Sequence, residues 1–97
     1  MESRKRLEII VTQPEVKPVL KLLERHGILH YSLLKDVSGR GDRGMQDGRG
    51  LSETFINVMI ISFITPEAFD VVRESLSAEL SRYGGVAVVS DVQWLPH

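Results

Sequence analysis

The chain has 97 residues, 12 Lys and Arg against 13 Asp and Glu, 42% hydrophobic residues and no cysteine. One compact domain fits this length and two do not; a chain this short buries only about 60 to 65% of the surface its unfolded form exposes, so stability borrowed from further copies is expected. A net charge of -1 without a long basic run argues against nucleic-acid binding, and the absence of Cys removes disulfides, thiol nucleophiles and Cys-ligated metals.

Arg4-Lys5-Arg6 is followed by an apolar run of only Leu7 to Val11, interrupted by Glu8. That run is too short for export or a membrane span, so a cytoplasmic location without membrane insertion is expected. Being short and β-branched, it predicts a first strand. Thr12-Gln13-Pro14-Glu15 has the residues of a capping box with proline in the first turn, and a helix follows. Val16, Val19, Leu20, Leu22 and Leu23 form its apolar stripe, and Gly27 stops it. A second strand is expected from about Ile28 to Val37.

The pattern then repeats. Phe55 to Ile64 predicts a third strand, Thr65-Pro66-Glu67 a second helix start, and Ala68, Val71, Val72, Leu76 and Leu80 its buried stripe. Gly84-Gly85 stop that helix, and Val86 to Trp94 form a fourth strand. Two β-α-β units joined by a hairpin give an α+β, ferredoxin-like βαββαβ plait with both helices on one face of the sheet. The third strand has almost no polar position between Val58 and Ile64, which predicts burial on both sides. Copies of the same chain must then cover the helix-free face, and a cyclic trimer with the sheets turned inward is expected.

Between the hairpin strands lie about seventeen residues, Ser38 to Thr54, with five of the eight glycines. A hairpin needs only about two to five connecting residues, so a functional loop is expected, mobile until a ligand or partner holds it. Gly39-Arg40-Gly41-Asp42-Arg43-Gly44 matches G-x-G-x-x-G formally, but the residues after it make a poor helix start, which removes the dinucleotide-fold reading. What remains is a set of glycine amides beside two arginines, suited to carboxylate, carbonate or phosphate oxygens, against the alternative of a solvated loop tip.

Other candidates carry less. Gly27 separates His26 from His30, so surface histidines are expected rather than a zinc site. Asp36 and Asp91 each precede a valine at a strand end and suggest turn or edge roles, and Trp94 suggests packing or subunit contact. No nucleophile, base and orienter combine into a catalytic motif, so a protein that is not an enzyme is expected.

The doubled plan, His26-Gly27-Ile28 leading into the second strand, the loop after Val37-Ser38-Gly39, Asn57-Val58 opening the third strand, and Gly84-Gly85 before a strand containing Asp91-Val92 together resemble a PII signal-transduction protein. The likeness runs from Lys5 to Leu95 and treats residues 1–97 as a single PII-like domain with a T-loop at about 38–54. It implies a homotrimer binding adenine nucleotide in clefts between subunits. Gly27, Ile28, Ile61 and Phe63 would flank the adenine, and Gly39, Arg40 and Gly41 would approach the phosphates from one side and Gly84 and Gly85 from the other. Val86 stands where the family has a lysine after the phosphate turn, Asn57 stands where a lysine helps bind triphosphate and 2-oxoglutarate, and the sequence ends at His97 where the family carries further arginines.

Fewer cations imply fewer phosphates, hence ADP or AMP. Together with the Ser-Gly-Arg-Gly loop base this is similar to the PII-like branch tied to carboxysomes and bicarbonate transport. That likeness implies bicarbonate as a further ligand near Ser38, Gly39, Arg40, Gly41 and Arg43, and a T-loop partner that is a transporter or a carbon-fixation component. A nitrogen-regulatory PII-type protein, a CutA-like trimer, whose loop would be short, and a ligand-free adaptor are the alternatives.

Overall fold

The computed structural model describes residues 1–37 and 56–97. The loop segment with Ser38, Gly39, Arg40, Gly41 and Arg43 lies outside the described residues. Strand β1 (Glu2–Thr12) leads into helix α1 (Gln13–Arg25), and β2 (Ser32–Lys35) precedes the loop. Strand β3 (Asn57–Ile64), helix α2 (Pro66–Tyr83) and strand β4 (Val86–Trp94) follow it. The sheet order is β2-β3-β1-β4 with every neighbouring pair antiparallel, which is the ferredoxin-like plait expected from the repeated pattern.

Strand β1 is longer than its apolar run because the charged residues before Leu7 also join the ladder. Lys5 lies opposite both Ile64 and Asp91, and its ammonium meets the Asp91 carboxylate at 2.5 Å. Asp91 thus has the edge-strand role its position suggested. Strand β2 is shorter than expected, for reasons at both ends: the chain after Gly27 is tied back to α1, and Asp36 adopts φ 61°, outside strand geometry.

On β1, the odd residues Leu7, Ile9 and Val11 point at the helices, opposite Ser62, Ile60 and Val58 of β3. Val16, Val19, Leu22 and Leu23 of α1, with Val72 and Leu76 of α2, close this core. The other sheet face carries Ile10, Met59, Ile61, Phe63, Leu34, Val86 and Val88, with no helix over it. A single chain therefore buries the third strand on one side only: Ile60 is 0% exposed and Phe63 43%.

The two helix starts differ. Thr65 caps α2, its Oγ1 accepting the Ala68 N–H at 3.1 Å, as its sequence context implies. Thr12 makes no side-chain cap bond; instead the Gln13 N–H donates to the Ile56 carbonyl at 2.8 Å. This tertiary contact satisfies the first free N–H of the helix; the bond from Thr12 to the Glu15 N–H that a capping box would make is not formed. Among the described residues, no helix is long and apolar enough to cross a membrane.

Candidate functional site

Helix α1 ends in a tight double-bonded turn. The Gly27 N–H donates to the Glu24 carbonyl at 3.0 Å and the Ile28 N–H to the Leu23 carbonyl at 2.9 Å, the paired bonds of a Schellman motif. Gly27 takes φ 81°, and a Cβ there would meet nothing within 4 Å, so the need for glycine is conformational rather than steric. Ile28, 3% exposed, then anchors the chain into the core. The His26 Nδ1–H donates to the Leu22 carbonyl at 2.8 Å, and Nε2 lies 3.4 Å from the Ser75 hydroxyl. His26 is thus a helix-end tie between α1 and α2. Among the described residues no three His, Cys, Asp or Glu side chains gather as a metal site.

Because β2 begins only at Ser32, the end of β3 has β1 on one side and no strand on the other. The segment from Gly27 to His30 stands off this gap and leaves a hollow of about 200 Å³, lined by Gly27, Ile28, Leu29, His30, Ser62, Phe63, Ile64, Thr65 and Ala68. The Ser62 hydroxyl donates to the His30 carbonyl at 2.7 Å and ties the two walls together. Apart from His30, no titratable side chain lines the hollow. Its chemistry suits a flat, largely apolar ring with a few polar atoms and does not suit a phosphate.

Three residues named from sequence, Gly27, Ile28 and Phe63, come together here. Ile61 does not: it lies opposite Glu8 on the helix-free face and is absent from the lining. Phe63 borders the hollow and also meets Trp94, with ring centroids 5.7 Å apart, while the Arg6 guanidinium sits 5.6 Å over its ring and is paired with Glu8 at 2.6 Å. Ser62, Ile64 and Thr65 were missed by sequence reasoning. The available signal was Ser62 as the one polar residue between Val58 and Ile64.

Gly84 and Gly85 adopt φ 89° and 113° after α2, and the Gly84 N–H donates to the Leu80 carbonyl at 2.8 Å. At Gly85 a Cβ would sit 2.8 Å from Val11 Cγ1 and 2.9 Å from the Ile10 carbonyl, so this glycine is required by close approach to β1 as well as by its backbone. The register separates this turn from the hollow. Ile64 is opposite Lys5 and Val86 opposite Ile10, five residues apart along β1, or about 17 Å. The loop base shares the glycine-turn end, where the Val37 N–H donates to the Asn57 carbonyl at 3.1 Å and Asn57 faces Thr12.

Known proteins share this fold. CPII, a nitrogen regulatory PII-like protein from Thiomonas intermedia K12, solved bound to ADP, AMP and bicarbonate, is 26% identical with a TM-score of 0.80, over 98% of this chain and 96% of that one. The same protein bound to ADP and bicarbonate gives 28% identity and a TM-score of 0.77 over 95% of this chain and 88% of that one. Its apo form gives 25% and 0.78, over 95% and 91% of the two chains. No curated protein sequence matches the chain. The family model for nitrogen regulatory protein P-II matches residues 4–95, nearly the whole of the chain, which therefore belongs to the P-II family.

Proposed function

We propose that this protein is a PII-like regulator that binds ADP or AMP in clefts between copies of the chain, takes bicarbonate at the base of its long loop, and reports both through loop contacts with a protein partner in inorganic-carbon uptake or fixation. The observation that carries this reading is the largely apolar hollow between Gly27–His30 and Ser62–Thr65 in a chain similar to a protein solved with ADP, AMP and bicarbonate. The hollow takes the adenine, with Gly27, Ile28 and Phe63 on its walls. Gly84, Gly85, Gly39, Arg40 and Gly41 hold phosphates. Ser38 and Arg43 complete an anion site, because a planar anion with three oxygens fits a guanidinium fork and exposed backbone N–H groups.

The roughly 17 Å between hollow and glycine turn within one chain supports a site shared by two copies, the base held by one and the phosphates by the next. The exposed apolar sheet face supports assembly, since Phe63, Val86, Val88 and Leu34 are each at least 37% exposed in the isolated chain. A homotrimer covers that face and forms three such clefts. Val86, where the family has a lysine, supports a preference for fewer phosphates.

Isothermal calorimetry with ADP, AMP and ATP tests the reading. ADP and AMP are expected to bind at least as well as ATP, one per chain. Absence of heat with all three would make the protein a ligand-free adaptor.

A further inference from the structure

The two helices carry opposite charge on their outer sides. On α1 the exposed Lys17, Lys21 and Arg25 follow one another at intervals of four residues, which sets them in one basic ridge, with Glu24 the exposed exception. On α2 the exposed Glu67, Asp70 and Glu74, spaced three and four apart, form an acidic ridge. Arg73 and Arg82 leave that ridge, their guanidiniums lying over the Phe69 and Tyr83 rings. None of the six ridge residues belongs to an ion pair among the described residues, where the ion pairs join side chains of the sheet.

Between the ridges the surface is apolar. Ser75 faces α1, since its hydroxyl lies 3.4 Å from His26 Nε2, and Val71 and Ala78 share its row on α2. Val71 is 63% exposed there. Strands β1 and β3 are antiparallel and each helix runs back along the strand before it, so the helices are antiparallel too. The Arg25 end of α1 therefore lies beside the acidic half of α2.

We propose that this two-helix face is a self-association surface, on which a second copy of the chain docks about a two-fold axis running between the helices and along them. Such an axis lays the basic ridge of each copy on the acidic ridge of the other, twice over, and brings Val71 against its counterpart. The occupant is a second copy because both signs stand side by side on one face. A uniformly acidic or basic partner would match one ridge and be repelled by the other. The face lies opposite the exposed sheet surface, so the contact does not compete with assembly through the sheet. A trimer would present three such faces, and the contact would link trimers to one another. Exposed ion pairs are individually weak and screened by salt, so the association is reversible and strongest at low ionic strength.

The test is sedimentation of the full chain over a range of concentrations at about 20 mM and about 500 mM salt, where screening differs most. At low salt the average mass is expected to rise at least about twofold with concentration, as pairing through a two-fold contact requires, and at high salt to stay constant. Lys21→Glu with Arg25→Glu, and Asp70→Lys with Glu74→Lys, should each abolish the rise, because both ridges then carry one sign. The two double variants mixed in equal amounts should recover it, as should a chain with all four changes, folding of each being checked by circular dichroism. Constant mass of the wild type at low salt overturns the proposal, as does a rise that persists in both double variants. Failure of the mixture of folded double variants to recover the rise overturns it as well, and leaves the ridges as solvated charge.

Discussion

Glycines 27 and 85 both sit at positive φ beside the candidate site, yet they answer to different constraints. Gly27 has open space where a Cβ would stand, whereas at Gly85 that atom would collide with Val11 and the Ile10 carbonyl. Gly27→Ala should therefore cost about 1 kcal/mol of backbone strain. Gly85→Ala should cost about 2 to 4 kcal/mol, because strain and overpacking add. Urea denaturation of the two variants checks the order; equal losses would mean that β1 does not press on the turn. Both glycines were visible in the sequence as helix stops, but the collision was not, since it depends on β4 returning beside β1. Ser62 was legible only as a break in an apolar run. Its value to a pocket depends on the His30 carbonyl, 32 residues away in sequence.

At the scale of elements, the helices were the most readable feature because apolar spacing and terminal glycines act locally, although Val71, expected in the buried stripe of α2, is 63% exposed. The start of α1 was read in place, with Thr12 as N-cap and Pro14 in the first turn, but the Thr12 side chain makes no cap bond there. Thr65→Ala should accordingly cost about 1 kcal/mol and Thr12→Ala only a few tenths, measured by thermal or urea unfolding. Comparable losses would show that Thr12 caps α1 in solution. Strand β2 was overextended in the sequence reading because Ile28 to Tyr31 have strand-like composition, while the Schellman turn pulls their start back onto α1. That shortening opens the gap beside β3, so the hollow was unreadable from any one segment.

For the whole molecule, the two faces of β3 separate folding from assembly. Ile60 is fully buried under the helices, whereas Ile61 lies on the uncovered face. Ile60→Asp should unfold the chain, because an unpaired buried charge costs several kcal/mol, and Ile61→Asp should leave a folded monomer. Circular dichroism and light scattering together distinguish these outcomes; a trimeric Ile61→Asp would move the interface elsewhere.

Bicarbonate should raise nucleotide affinity, and nucleotide should raise bicarbonate affinity by the same factor, since equilibrium coupling is reciprocal. Titrations at fixed pH and ionic strength, with chloride replaced by bicarbonate, check this, and Arg43→Ala should abolish the coupling.

The central claim is that each nucleotide is held by two copies, and mixed trimers test it most directly. Ala68→Phe fills the hollow, and Arg40→Asp reverses charge at the loop base; each variant alone should form trimers that do not bind ADP. Coexpressed in equal amounts, they should recover ADP binding at about one quarter of the sites, where an intact hollow from one copy meets an intact loop base from its neighbour. No recovery in trimers confirmed to be mixed would place the whole site within one chain and contradict the account.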